Sequence, residues 1–118
     1  MRDVWIRTAN RSLIRADKVT EISSSSRGSV HEETGYSVKV VAGDKAFTLI
    51  DNSDRVGTKA ERLDHAGQMQ DALLLAIDAA SDAGPSTVIS HEEDRERWML
   101  TLASDLAGDF TPLRYTKN

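Results

Sequence analysis

The stretch Leu63 to Ala83, LDHAGQMQDALLLAIDAASDA, constrains this chain most, because it is the longest segment with an unambiguous helical period. At about 100° per residue, Leu63, Ala66, Met69, Leu73, Leu74, Ile77 and Ala80 form one broad apolar stripe. Asp64, Gln68, Asp71, Asp78 and Asp82 gather on the opposite side, where water can hold them. A stripe this wide must be buried, and the alternating segments that precede it supply a sheet to bury it against. Leu75, with Ala72 and Ala79, sits away from the stripe, so the helix is either covered on two sides or meets a partner through Leu75. Thr58 and Glu61 have capping-box spacing and Asp64 is a competing cap, which leaves two candidate starts. Ala83-Gly84-Pro85 ends the helix, since Gly suits a left-handed cap and Pro cannot continue it.

Before the helix the period changes to two. Val4 to Thr8 reads as a first strand with Val4 and Ile6 on one face and Trp5 and Arg7 on the other. Ala9-Asn10-Arg11-Ser12 is turn chemistry, with Asn10 tolerant of left-handed backbone. Leu13 to Ala16 returns as a second strand and Val19 to Ile22 continues or begins another. The serines from Ser23 onward, with Arg27, Gly28 and Ser29, predict a loop. Tyr36 to Val41 and Ala46 to Ile50 alternate cleanly around Ala42-Gly43-Asp44-Lys45, and a hairpin with Gly43 at positive φ follows. After Pro85, Ser90 with Glu93 has capping-box spacing, and Trp98, Met99, Leu102 and Leu106 fall on a narrow helical stripe. A second helix from about His91 to Ala107 is expected, with Phe110 and Leu113 as anchors in the tail.

These segments predict an α+β fold: an antiparallel β-meander of about four strands packed on one long helix, plus a second C-terminal helix. The 118 residues read as a single domain over 1–118. Within it, residues 1–83 would hold the sheet and main helix, and residues 84–118 a C-terminal helical arm. Cys is absent, which excludes disulfides, thiolate zinc sites and cysteine nucleophiles together. The opening MRDVWIRTANRSLIRADKV has no apolar core of signal-peptide length, and no stretch approaches the roughly 20 apolar residues of a membrane span. A soluble cytoplasmic protein is therefore the expectation.

The opening WIRTANRSLIRAD, the GYSVKVV and KAFTLID strands and the helical DALLLAIDAA resemble a group of small uncharacterised bacterial and phage proteins. Those have a short WIRS…L opening, a β-meander and a closing amphipathic helix. The resemblance covers about residues 4–80 and implies no activity. The serine run and everything after Pro85 depart from the group's pattern.

Function is sought in three constellations. The net charge of −4 is uneven: residues 1–29 carry six bases against three acids, and the remainder is strongly acidic. Trp5, Arg7, Arg11 and Arg15 on an N-terminal β-hairpin could hold phosphates and stack a base. One aromatic is too few for a stacking platform, and the acidic pI near 5.3 opposes a polyanion. His31-Glu32-Glu33 and His91-Glu92-Glu93 carry metal-ligand chemistry, but neither has two histidines four apart, and His91 to Asp94 is explained as a capped first turn. No catalytic triad order, phosphate loop or dinucleotide fingerprint is present, so neither an enzyme nor a cofactor is expected. The expected function is a non-enzymatic interaction or accessory module. Its candidate contact residues are Leu75, Trp98, Met99, Leu102 and Leu106, used toward a protein partner or, through the C-terminal helix, a second copy of the chain. A nucleic-acid-binding protein using the arginine-rich hairpin is the alternative.

Overall fold

The computed structural model describes residues 3–26, 34–82 and 85–106. The described residues form an α+β fold with seven strands, one long helix and one short helix toward the C-terminal end. The strands form two sheets. In the first, β2 (Leu13–Arg15), β1 (Val4–Arg7), β6 (Thr87–Glu92) and β7 (Arg97–Leu102) lie side by side in that order. In the second the order is β3 (Val19–Ser26), β4 (Tyr36–Ala42) and β5 (Lys45–Asn52). Both sheets contribute to the packing of helix α1 (Lys59–Asp82), which lies against β3, β4, β6 and β7.

The local causes are legible. Thr58 and Glu61 form a reciprocal capping box: the Glu61 N–H donates to Thr58 Oγ1 (3.1 Å), and the Thr58 N–H donates to Glu61 Oε1 (2.8 Å). Thr58, rather than Asp64, thus starts the helix. Those bonds hold the Glu61 carboxyl below its ordinary pKa. Gly57 at φ +130° lets the chain enter this cap, and a Cβ there would come within 3.3 Å of the Glu61 carboxylate. Gly43 at φ +65° is the first of two residues in the β4–β5 turn, as a type II′ hairpin requires. In the β1–β2 turn the residue with positive φ is Arg11 (+69°), not Asn10. There Thr8 and Ser12 close the loop through a backbone bond of 2.8 Å.

The core joins Val4 and Ile6 of β1, Tyr36, Val38 and Val40 of β4, Leu49 and Ile50 of β5, Ile89 of β6 and the inner face of α1. That inner face is narrower than the broad stripe: Arg62, Ala66, Met69, Leu73, Ala76 and Ala80 are buried, whereas Leu63 and Leu74 are exposed. Leu63 and Leu74 fall roughly 100–120° round from the centre of the buried face, so the sheets do not reach them. Arg62 is buried inside the helix base instead, where its guanidinium donates to the carbonyls of Gly57 (Nε, 3.2 Å) and Gly35 (Nη1, 2.9 Å).

Three expectations need correction. The strands are not one meander, because β6 returns after α1 to pair in parallel with β1, Ile6 beside Ile89. Alternation identifies strands but carries no partner for them. Ser23 to Ser26 belong to β3, paired along β4, with the Ser25 and Ser37 hydroxyls 2.8 Å apart and Ser24 Oγ donating to Gln70 Oε1 (2.7 Å). Arg27 to Ser29 lie outside the described residues. Finally, of the helix read over His91 to Ala107 the described residues contain only α2 (Ala103–Leu106). His91 to Leu102 form the end of β6, a turn and β7, since cross-strand pairing from Glu92 with Arg97 to Thr87 with Leu102 satisfies that backbone. The described part of the stretch read as a helical arm, residues 84–118, is thus mainly a hairpin, and its strand β6 lies between β1 and β7.

Candidate functional site

The β6–β7 hairpin carries a polar cluster centred on Glu96 and a strand, β7, at the edge of the first sheet. Its four-residue turn, Glu93 to Glu96, closes with the Glu96 N–H donating to the Glu93 carbonyl (3.3 Å). Glu96 itself sits at φ +47°, a left-handed conformation that costs a side-chain-bearing residue about 1 kcal/mol. That conformation aims its carboxylate back at the body of the protein. Tyr36 OH donates to Oε1 (3.3 Å), His65 Nε2 donates to the same oxygen (3.1 Å), and Arg55 Nη1 donates to Oε2 (2.7 Å). One carboxylate therefore ties the hairpin to β4, to α1 and to the β5–α1 connection.

The aromatic groups complete the clamp. Tyr36 is fully buried and meets the His65 ring edge-on at 4.8 Å between centroids. Burial, with the nearby Glu96 carboxylate second, pushes the Tyr36 hydroxyl up to about 12, so it stays a donor. His91 meets Trp98 edge-on at 5.5 Å, and its buried Nε2 has no hydrogen-bond partner among the described residues. Burial lowers its pKa, against the pull of Glu93 and Glu96, which favours the neutral ring. Trp98 Nε1 donates to the Met69 carbonyl of α1 (2.8 Å), so Trp98 faces the helix. Residues at alternate positions share a face, so Leu100 and Leu102 also lie on the helix side of β7. Both remain exposed, at 43% and 37%.

Sheet edges expose unpaired backbone, and proteins blunt them with short strands, charges, bulges or cover. β2 has three residues and ends in Arg15. β3 carries Glu21 beside a register break, and β5 has Lys45, Asp51 and a register break, with its Thr48 carbonyl taken by the Ala9 N–H (2.8 Å). Among the described residues β7 is six residues long and carries a charge only at its first residue, Arg97. Its register with β6 is unbroken over six pairs, and Trp98 to Leu102 are uncharged.

The expected contact residues are only partly brought together. Trp98, Met99 and Leu102 share β7, and Leu106 follows in α2, exposed. Leu75 is exposed on α1; by the helical period it lies about 80° round from His65, on the flank turned toward the hairpin, while Leu74 falls beside Gln70 on the flank turned toward β3. Leu100 joins the set. Trp98 is less available than expected, because its ring is spent on Met69 and His91.

The four N-terminal residues divide in two. Arg15 lies over the Trp5 ring (5.4 Å to its centroid) and is paired with Asp3 (2.9 Å) and Asp17 (3.1 Å). The Asp17 hydrogen bond and charge, then Asp3, hold the Arg15 guanidinium above its usual pKa, and Arg15 in turn lowers Asp17. Arg7 and Arg11 instead line a cleft of about 670 Å³ between the two sheets, with Asp51, Glu92, Glu93 and Asp94 on its other walls. A neighbouring cleft of about 580 Å³ shares Asp51, Glu93 and Asp94 and adds Asp54 and Glu96. His31-Glu32-Glu33 lies outside the described residues. Among the described residues no three His, Asp or Glu side chains converge as ligands for a metal ion. No helix among them is long and apolar enough to cross a membrane.

Sequence reasoning missed Glu96, His65, Tyr36 and Arg55 as a group. The only available signal was the Glu-Asp-Arg-Glu run itself, which is richer in turn-forming charge than a helix centre needs. No family model, no curated protein and no solved structure matches this chain.

Proposed function

We propose that the protein is a non-enzymatic interaction module that takes an extended segment of another chain onto the free edge of β7. The observation that supports this reading is the contrast among the four sheet edges of the described residues: β2 is short, β3 and β5 carry charges and register breaks, and β7 is regular and uncharged after Arg97. A strand added there would receive backbone hydrogen bonds from β7 and cover Leu100 and Leu102. Leu75 on α1 and Leu106 on α2 would flank it. The Glu96 clamp holds the hairpin in place before any partner arrives, so the edge is presented without an ordering cost at binding.

The alternative, nucleic-acid binding through the N-terminal hairpin, has less support. Arg15 is held by two carboxylates, and Arg7 and Arg11 face an acidic wall that repels phosphate.

A photo-reactive side chain placed at Leu102, and in a control at Asp44 in the remote β4–β5 turn, tests the reading in cells that produce the chain. Adducts of defined mass from Leu102 and none from Asp44 are expected. Absence of adducts from both, or the same pattern from both, would remove the support for β7 as a contact surface.

A further inference from the structure

Building on β7 as the contact surface, we propose that its occupant is a second copy of this chain, paired antiparallel with β7 about a two-fold axis through Leu100. The strand is self-complementary. Trp98-Met99-Leu100-Thr101-Leu102 is an uncharged run of odd length, and only centring on Leu100 pairs the whole run with itself. Leu100 then meets its own counterpart and Trp98 meets the partner's Leu102, all on the helix side of the strand. Arg97, the one charged residue of β7, falls opposite the partner's Ala103 rather than another Arg97. The basic end of each strand also points toward the short helix that carries Asp105 in the other copy. No like charges face each other across this pairing, which is the usual obstacle to self-association of a strand.

The pairing also covers what the single chain leaves open. Joining the two edges makes one continuous sheet across the two-fold axis, with both α1 helices on the same face. Each α1 turns toward the axis the flank that bears Leu75 and the small residues Ala72 and Ala79. Leu75 is 70% exposed in the single chain, and a helix from the second copy is the cover this arrangement provides. The interface is isologous and closes at two copies, since each β7 edge is used once.

Sedimentation equilibrium on the full chain should give twice the 13.0 kDa of one chain. Leu100→Lys and Leu100→Glu, each placing like charges opposite each other at the axis, should each weaken self-association about tenfold or more. Melting temperature and circular dichroism should confirm that both variants stay folded, because Leu100 is already exposed. Mixing the two variants should restore a dimer, a result that loss of apolar surface alone cannot produce. A monomeric wild-type chain would overturn the proposal, and a dimer unaffected by either variant would place the contact elsewhere and do the same. Failure of the mixture to re-associate would refute the register through Leu100. If the chain is monomeric yet Leu102 cross-links to a different protein, the interaction reading stands and self-pairing falls. Hydrogen exchange protecting every β7 amide in a monomer would identify a segment of the same chain as the occupant, against the proposal.

Discussion

Replacing Glu96 with Ala should loosen the β6–β7 hairpin from the body of the protein, at a cost that can be worked from its three bonds. Hydrogen bonds to a charged acceptor contribute about 1.5–3 kcal/mol each when well formed. Those from Tyr36 and His65 are at 3.3 and 3.1 Å, so the lower end applies to each. The Arg55 pair is short at 2.7 Å, but its side chains are 37% and 29% exposed, and solvent screening reduces it to about 0.5–1 kcal/mol. Native and variant chains share the cost of the left-handed φ, which therefore cancels. The sum is about 3.5–4 kcal/mol, read as a shift of the urea midpoint at unchanged slope. Glu96→Gly removes the same bonds but relieves the φ of +47°, so it should be less destabilising than Ala by about 1 kcal/mol. Glu96→Gln keeps an acceptor and should lie between wild type and Ala. A loss below about 0.5 kcal/mol for Glu96→Ala, or Gly no better than Ala, would show that the clamp does not hold the hairpin.

Leu73 of α1 is fully buried in the core, so Leu73→Ala should cost about 2–5 kcal/mol, and an unchanged denaturation midpoint would mean that α1 packs by another face. The raised Tyr36 hydroxyl predicts an alkaline effect with a definite sign: below the ordinary phenol value of about 10 folded and unfolded states are both protonated and the stabilisation is complete. Between about pH 10 and 12 the unfolded chain loses its proton first, so stability should fall by about 1.4 kcal/mol per pH unit. Stability curves of wild type and Tyr36→Phe should diverge over that window, and parallel curves would refute the assignment.

The parts of the fold legible in the sequence are those set by neighbours along the chain. The β4–β5 hairpin follows from alternation around Gly43, and the Thr58–Glu61 capping box is one of the two starts of α1 that the sequence offers, the structure deciding between them. What escaped was set by distant partners. Ser23 to Ser26 have little strand character of their own and are strand because β4 and Gln70 supply their bonds. Arg62 reads as an ordinary helix residue and is buried because Gly35 and Gly57 present carbonyls to it. Leu75 lies off the main stripe in the sequence, and it is exposed in the fold.

The misread segment after Pro85 is the most instructive, because its two patterns share residues. Trp98, Met99, Leu102 and Leu106 make a helical stripe, while Trp98, Leu100 and Leu102 make one face of a strand. The Ser90–Glu93 spacing mimics a helix cap, yet Ser90 lies within β6 and Glu93 opens the turn. Local propensity does not separate the two. The decision comes from β1, whose Val4 and Ile6 need a neighbour on the sheet side away from β2. Thr87, Val88 and Ile89 meet that need by parallel pairing, and Val88 and Ile89 are almost fully buried as a result. Once β6 is fixed there, the chain must turn at Glu93 to Glu96 and return as β7. The face that a helix would have buried against α1 then becomes an edge strand with Leu100 and Leu102 in the open. The exposed edge is thus a consequence of completing the core with β6, which is why the proposed contact surface falls on the same residues that the helical period marks for a different reason.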